Sequence, residues 1–80
     1  MESKIAVVSI IVSNKAAVER INTLLHAYGE NIIGRLGVPY REKNLNIISI
    51  IMDAPVEVIN SLSGKLGMID GVSSKVLTTK

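Results

Sequence analysis

The sequence contains no cysteine and only one histidine, His26. Without cysteine, a disulfide framework, a thiolate metal site and a cysteine nucleophile are all excluded. A single histidine excludes any site that needs two or more histidines from one protomer. Phenylalanine and tryptophan are also absent, and tyrosine occurs twice, which leaves little aromatic surface on which nucleic-acid bases could stack. We therefore predict no metal site and no bound cofactor.

An excess of charge of one sign is missing as well. Nine lysines and arginines oppose seven acidic residues, and the net charge of +2 is too small for a dedicated polyanion binder, so no direct nucleic-acid partner is expected. No apolar run approaches the 18–20 residues of a membrane span. The run at 5–12 is short, is interrupted by Ser9, and has no small-residue cleavage site after it. The sequence thus predicts a soluble, cytoplasmic protein with no membrane partner.

Aliphatic residues dominate what is present. Isoleucine and valine supply 21 of the 80 residues, which excludes disorder, and the length suits one small domain over residues 1–80. The spacing of hydrophobic residues switches twice from a period of two residues, typical of strands, to one of 3.6 residues, typical of helices, and back. This pattern predicts strands at 4–13, 31–40, 45–53 and 72–78, and helices at 15–28 and 55–67.

The order βαββαβ is that of the ferredoxin-like sandwich. This α+β fold has a four-stranded antiparallel sheet with both helices on one face, and the two most apolar strands, the first and third, are predicted to be central. Asn14 is expected to cap the first helix and Gly29 to end it. In the second strand, Gly34 and Gly37 predict a bulge or a close backbone approach, and Pro39 confines this strand to an edge or end.

The sheet face away from the helices, here called the open face, is predicted to be apolar. Side chains alternate between the two faces of a strand, and in both central strands each alternate set is aliphatic. We assign the serine-containing sets to the open face. They leave six large aliphatic side chains in need of cover: Ile5, Val7, Ile11, Leu45, Ile47 and Ile51. A patch of this size predicts self-association through the sheet, as a dimer or tetramer.

Conventional catalytic motifs are not found. Asp53 and Asp70 lie at a helix start and a turn, where aspartate is common, so they are not interpreted as a catalytic pair. Ser63-Gly64-Lys65 lies inside the second predicted helix and lacks the upstream glycine of a phosphate-binding loop. His26 is interpreted either as a ligand or proton-transfer group, or as an exposed histidine favoured by the helix C-terminus. No enzymatic activity is predicted.

The glycine-flanked strand carries the candidate binding residues. Arg35 lies between Gly34 and Gly37, and Tyr40 follows at the end of the strand. Glycines let a ligand or a second backbone approach, and arginine can hold a carboxylate or phosphate with two hydrogen bonds. We predict that Arg35 supplies charge and Tyr40 a hydroxyl, with a contribution from His26 if the first helix ends nearby. The alternative is a solvated charge beside a bulge.

Three segments resemble a known family. The stretches 32–40, 62–67 and 71–75, together with the apolar strand 45–53, are similar to the proposed regulators of the iron-only hydrogenase system, small bacterial proteins of this size. The resemblance covers nearly the whole chain. It implies a βαββαβ fold like that of ACT domains and of the C-terminal domain of nickel-responsive repressors. It also implies side-by-side or stacked oligomers and a link to hydrogenase maturation.

Two departures limit what this resemblance implies. The nickel-responsive repressors use several histidines and a cysteine for metal, which this chain lacks. ACT domains often bind an amino acid beside a glycine in the first strand–helix loop, and here that loop is Ser13-Asn14-Lys15. The chain also lacks a helix-turn-helix or basic arm for DNA.

Three functions follow as hypotheses. The leading one is a non-enzymatic, homo-oligomeric regulatory module that senses a small ligand or docks a protein partner, with hydrogenase-maturation proteins as possible partners. The second is a structural or assembly factor for metalloenzyme maturation with no ligand of its own. The third is a small enzyme, which the single histidine and the lack of cysteine disfavour.

Overall fold

The computed structural model describes residues 2–79. The main elements are four strands and two α-helices, which in chain order are β1 (Ser3–Val12), α1 (Val18–Ala27), β2 (Ile32–Tyr40), β3 (Leu45–Pro55), α2 (Val56–Gly67) and β4 (Val72–Thr78). Single 3-10 turns at Lys15–Ala17, Gly29–Asn31 and Arg41–Lys43 lie between them.

The four strands form one antiparallel sheet in the order β2-β3-β1-β4. In the central pair, Val8 lies opposite Ile50 and Ser9 opposite Ser49. β2 pairs antiparallel with β3, and β4 pairs antiparallel with β1. The predicted α+β ferredoxin-like fold is therefore confirmed, and so is the central position of the first and third strands. β2 and β4 are the two edges.

The hydrophobic core lies between the sheet and the helices. The even-numbered residues of β1 from Ala6 to Val12 and of β3 from Ile48 to Ala54 are buried, and the buried helix residues include Ile21, Leu25 and Leu62. Antiparallel strands can bury one face and leave the other open, and both helices cover the same face here. The core consists of aliphatic side chains and Met52, with no buried polar or charged residue among residues 2–79.

Both helices begin later than the sequence pattern predicted. Residues 15–17 form a 3-10 turn because the Asn14 side chain accepts from the Ala16 N–H at 3.0 Å and the Asn14 carbonyl accepts from the Ala17 N–H at 2.9 Å. Pro55 is extended (φ −59°, ψ 152°) and pairs with Ser3, so β3 continues to the residue before α2. Strand pairing between β1 and β3 and local capping at Asn14 thus set these boundaries.

The second strand shows both predicted irregularities. Its register with β3 shifts between Ile32 and Gly34, which is the expected bulge, and Pro39 lies on an edge strand. At the other end of α1, Tyr28 closes the helix and Gly29 starts a 3-10 turn. Over residues 2–79, neither helix has the length and hydropathy needed to cross a membrane.

Candidate functional site

The open face carries all six aliphatic side chains assigned to it from the sequence. Ile5, Ile11, Ile47 and Ile51 are 39–46% exposed, although these positions belong to the two central strands. Val7 and Leu45 are half-buried on the same face. A face of this composition is costly to leave in water, at about 25 cal/mol per Å² of apolar surface.

The edge strands extend this apolar surface beyond the six. Leu36 lies opposite Ser49, Val38 lies opposite Ile47, and Leu77 lies opposite Val7, so all three share the open face. Their exposed fractions are 63%, 44% and 73%. Sequence reasoning did not assign them. Strand alternation could have predicted that Leu36 and Val38 share a face, because they lie two residues apart in the predicted second strand.

The centre of the open face has few polar side chains, and those are short. Ser9 and Ser49 face each other across the central strand pair. The charged residues stand towards the margins, where Lys75 pairs with Ser9 from the edge strand β4 and Asp53 pairs with Ile5 near the end of β1. The face thus surrounds two small serines with aliphatic side chains and carries charges at its rim, and an apolar area with a polar rim is the usual anatomy of a protein interface.

Arg35 projects to the other side of the sheet. It lies opposite the buried Ile50, and its guanidinium donates a hydrogen bond from Nη2 to the Asn22 side-chain oxygen on α1. His26 lies four residues after Asn22 on the same helix, so both occupy one helical face. Arg35 and His26 are both exposed. The structure therefore places them at the same edge of the molecule, where β2 runs beside α1.

Tyr40 lies on the open-face side of the same strand. It pairs with Leu45, and its hydroxyl donates a hydrogen bond to Glu42 Oε2 at 3.2 Å. It also lines a depression of about 390 Å³ at the β2–β3 hairpin, together with Lys15 and Arg41. Two cations and the tyrosine hydroxyl thus line this corner, but the hydroxyl already donates its hydrogen bond to the Glu42 carboxylate.

The predicted binding residues do not form one cluster. Arg35 and Tyr40 are five residues apart on one strand, which is about 17 Å at 3.4 Å per residue, and they point to opposite faces. Gly34 lies on the face of Tyr40, and Gly37 on that of Arg35. Strand alternation explains the separation, since an odd spacing always reverses the face. Within one protomer, Arg35 and Tyr40 therefore do not face a common ligand site.

Neither glycine in this strand is required by a close contact inside the protomer. A Cβ at Gly34 would meet its nearest neighbour, Ile51 Cδ1, at 3.9 Å, and a Cβ at Gly37 would meet nothing within 4 Å. The bulge accounts for Gly34, and open space surrounds Gly37. The role that sequence analysis gave these two residues in binding stays a prediction.

A second polar cluster was missed from the sequence. The Tyr28 hydroxyl is hydrogen-bonded to Ser61 Oγ at 2.8 Å, and the Lys65 ammonium lies 5.4 Å from the centre of the tyrosine ring. The hydrogen bond between Tyr28 and Ser61 lowers the pKa of Tyr28 below its ordinary value, burial opposes this, and Lys65 lowers the pKa further through its hydrogen bond and its charge. The cluster joins α1 to α2, a proximity that no sequence spacing indicates.

Metal ligands are not grouped in the part of the chain that the structure describes. No set of three or more histidine, cysteine, aspartate or glutamate residues lies close enough to hold one ion among residues 2–79. The side chains described above offer hydrogen bonding and charge at two corners, and apolar contact over the open face.

These features define a class of small ferredoxin-like proteins whose sheet leaves an aliphatic face uncovered. Residues 4–76 match the TM1266-like family, described as "Iron-only hydrogenase system regulator, putative", and the chain belongs to this family. The structure of TM1266 from Thermotoga maritima is 38% identical over 99% of this chain and 100% of that one, with a TM-score of 0.94.

A second solved structure supports the fold alone. The de novo designed protein Foldit4 has a TM-score of 0.61, covers 99% of this chain and 98% of its own, and is 13% identical. No curated protein matches the chain. The family assignment thus confirms the resemblance seen in the sequence.

Proposed function

We propose that this protein is a non-enzymatic regulatory module of the iron-only hydrogenase system, and that it works as a homo-oligomer joined through its open face. The observation that carries the proposal is the exposure of Ile11, Ile47 and Ile51 in the middle of the sheet. Membership of a family described as regulators supports the regulatory role.

A second copy of this chain is the occupant that best fits the open face. Four strands about 4.8 Å apart and some eight residues long give a flat area of about 500 Å² per protomer, the same order as the ~800 Å² that each partner buries in a standard interface. Face-to-face packing of two sheets also interdigitates side chains such as Ile47 and Leu36 across a layer about 10 Å thick. The small Ser9–Ser49 pair leaves room at the centre for a partner side chain.

The rim charges suit a two-fold arrangement. Asp53 and Lys75 lie on the open face away from its apolar middle, at positions paired with Ile5 and Ser9. In a two-fold dimer every contact occurs twice, so an Asp53–Lys75 contact between copies would form as two equivalent ion pairs. Such rim pairs contribute to partner choice and orientation more than to affinity.

Sedimentation equilibrium over a wide range of micromolar concentrations tests the proposal. We expect a mass of twice the 8.6 kDa chain or a higher multiple, with little dependence on ionic strength because the contact is mainly apolar. A wild-type protein that stays monomeric throughout this range, with the open face in water, contradicts the proposal.

A further inference from the structure

A groove of about 650 Å³, called here the helix groove, runs along the helical side of the molecule between α1 and the C-terminal end of α2. Its α1 wall includes Arg20, Leu24 and Ala27, and its α2 wall includes Lys65 and Met68. It lies across the core from the open face, so an oligomer joined through the sheet leaves this groove accessible.

The helix groove is apolar and widely open. Met68, at its rim, is 83% exposed, the highest value among the large hydrophobic side chains of residues 2–79. Leu24 is half-buried and packs against the core beneath it. A flexible methionine beside a fixed leucine gives an adaptable apolar surface, a composition common in binding sites for partner helices.

The shape favours a helix over a small molecule. Along α1 the groove extends from Glu19 to Ala27, which is about 12 Å or two helical turns at 1.5 Å per residue, and Ala16 in the preceding 3-10 turn continues it. Within α1, Arg20, Thr23 and Ala27 follow one another at three and four residues, which is one helical face. The small side chains at 16, 23 and 27 allow another backbone to approach. A small ligand instead requires a concavity that encloses most of its surface.

The charges along the helix groove specify the partner further. Arg20 stands on the α1 wall and Lys65 on the α2 wall, so that each side of the groove carries a cation. Glu19, in the first turn of α1, is the acidic residue among the lining side chains. A helix lying between the walls would meet a positive charge on both flanks. Carboxylates on both flanks of its apolar stripe would complement these charges.

We propose that the helix groove docks an amphipathic helix of a partner protein, with an apolar stripe that contacts Leu24 and Met68 and with acidic residues on both flanks. This deepens the proposed function, on which it rests, by giving the chemistry of the partner that the module would recognise. The two surfaces are separate, so one copy can join its neighbour through the sheet and hold a partner on its helices.

The test uses two fluorescein-labelled helical peptides of about 14 residues, or four turns. One has a leucine stripe flanked by glutamates, and the other has lysines in place of the glutamates. Fluorescence anisotropy should show the acidic peptide binding at least about tenfold more tightly than the basic one. The double variant Arg20→Glu, Lys65→Glu should invert this preference, because each flank would then repel the glutamates.

The matched control is Arg41→Glu, Lys43→Glu, which changes net charge equally at exposed positions outside the helix groove. We expect it to keep the preference for the acidic peptide. Met68→Asp is a second groove variant that should fold, because Met68 is already exposed, and it should weaken acidic-peptide binding about tenfold. Circular dichroism on every variant checks that it is folded.

Several outcomes overturn the docking proposal. One is equal affinity for the two peptides, and another is an equal loss of peptide affinity in the groove and control variants. A third is that adding the acidic peptide to 15N-labelled protein shifts amide signals of β1 and β3 instead of those of α1 and α2. Sedimentation of the same variants separates this test from the oligomer test. A groove variant that no longer binds the peptide but keeps its oligomeric mass supports docking in the groove and leaves the oligomer proposal untouched. A monomeric wild-type protein that binds the peptide contradicts only the oligomer proposal.

Discussion

Gly71 lies against the backbone of Asn14, and a Cβ built on Gly71 would be 2.5 Å from the Asn14 Cβ and 3.3 Å from its backbone nitrogen. The Gly71 carbonyl also accepts hydrogen bonds from the Ser13 N–H at 2.8 Å and from Ser13 Oγ at 3.2 Å. This contact joins the β1–α1 loop to the turn before β4. It therefore holds together two segments that lie far apart in the sequence.

Replacement of Gly71 by alanine should destabilise the protein by about 2 kcal/mol or more. Gly71 has φ +80°, a conformation that costs other residues on the order of 1–3 kcal/mol, and the new methyl would also collide with the Asn14 Cβ, which moves only with its backbone. Urea denaturation at one fixed protein concentration measures the free energy of unfolding.

Gly64→Ala is the matched control for this substitution. Gly64 lies inside α2, a Cβ there would meet nothing within 4 Å, and alanine is the better helix former by roughly 0.5–1 kcal/mol. We expect this variant to be more stable than wild type. If the two alanine variants lost similar stability, the special role of the Asn14–Gly71 contact would be wrong.

If the open face is the interface, two lysine substitutions at equally exposed positions should differ in their effect on oligomeric mass. Ile47 on the open face and Val56 on α2 are each 39% exposed. Ile47→Lys should dissociate the oligomer or make the protein insoluble, because an unpaired ammonium would enter an apolar interface. Val56→Lys should keep the wild-type mass. Sedimentation equilibrium compares them, and two variants with the same mass would refute an interface centred on the open face.

The Tyr28 cluster gives a titration prediction. Because the Ser61 hydroxyl stabilises the phenolate, the pKa of Tyr28 lies below its ordinary value of 10.0, and Ser61→Ala should raise it. Ultraviolet absorbance of the phenolate measures this in a Tyr40→Phe background, where Tyr28 is the remaining tyrosine. A titration unchanged by Ser61→Ala would mean that Lys65 alone lowers the pKa.

The lowered pKa has a defined effect on stability. A folded-state pKa below the unfolded value means that the folded protein releases this proton first, so stability from Tyr28 grows as pH rises through the folded pKa and is complete above the unfolded value near 10.0. It is lost as pH falls through the folded pKa. Ser61→Ala also removes the hydrogen bond between the two hydroxyls, but its cost should be larger under alkaline conditions, where the phenolate forms, than at lower pH.

Much of the architecture could be predicted from hydrophobic period alone. Two switches between periods of two and 3.6 indicated four strands and two helices, and alternation placed Ile47 and Ile51 on the open face. The boundaries were less accurate, because the 3-10 turn after Asn14 depends on a side-chain hydrogen bond that competes with the regular helix.

The candidate binding residues were predictable only in part. The sequence showed that Arg35 and Tyr40 belong to one strand with glycines, but treated them as one site although their odd spacing places them on opposite faces. The contact of Arg35 with Asn22, and that of Tyr28 with Ser61, join different elements. Such contacts depend on how helices pack on the sheet, for which a single sequence has no periodic signal.

Arg35 and Tyr40 should act independently in a double-mutant cycle. Their side chains lie on opposite sheet faces about 17 Å apart along β2, and each has its own exposed partner, Asn22 for Arg35 and Glu42 for Tyr40. Distant sites without shared partners are additive within about 0.3–0.5 kcal/mol. The free energies of unfolding of Arg35→Ala, Tyr40→Phe and the double variant should therefore show no coupling beyond that range.

The single variants decide whether either residue is structural. Each side chain is exposed, so Arg35→Ala and Tyr40→Phe should each change the free energy of unfolding by less than about 1 kcal/mol. As a positive control, Asn22→Ala with Arg35→Ala should show coupling, because those two side chains share a hydrogen bond. If Arg35 coupled to Tyr40 as strongly as to Asn22, Arg35 and Tyr40 would belong to one site. Because they lie on opposite faces of the sheet, a second protomer would then have to connect them.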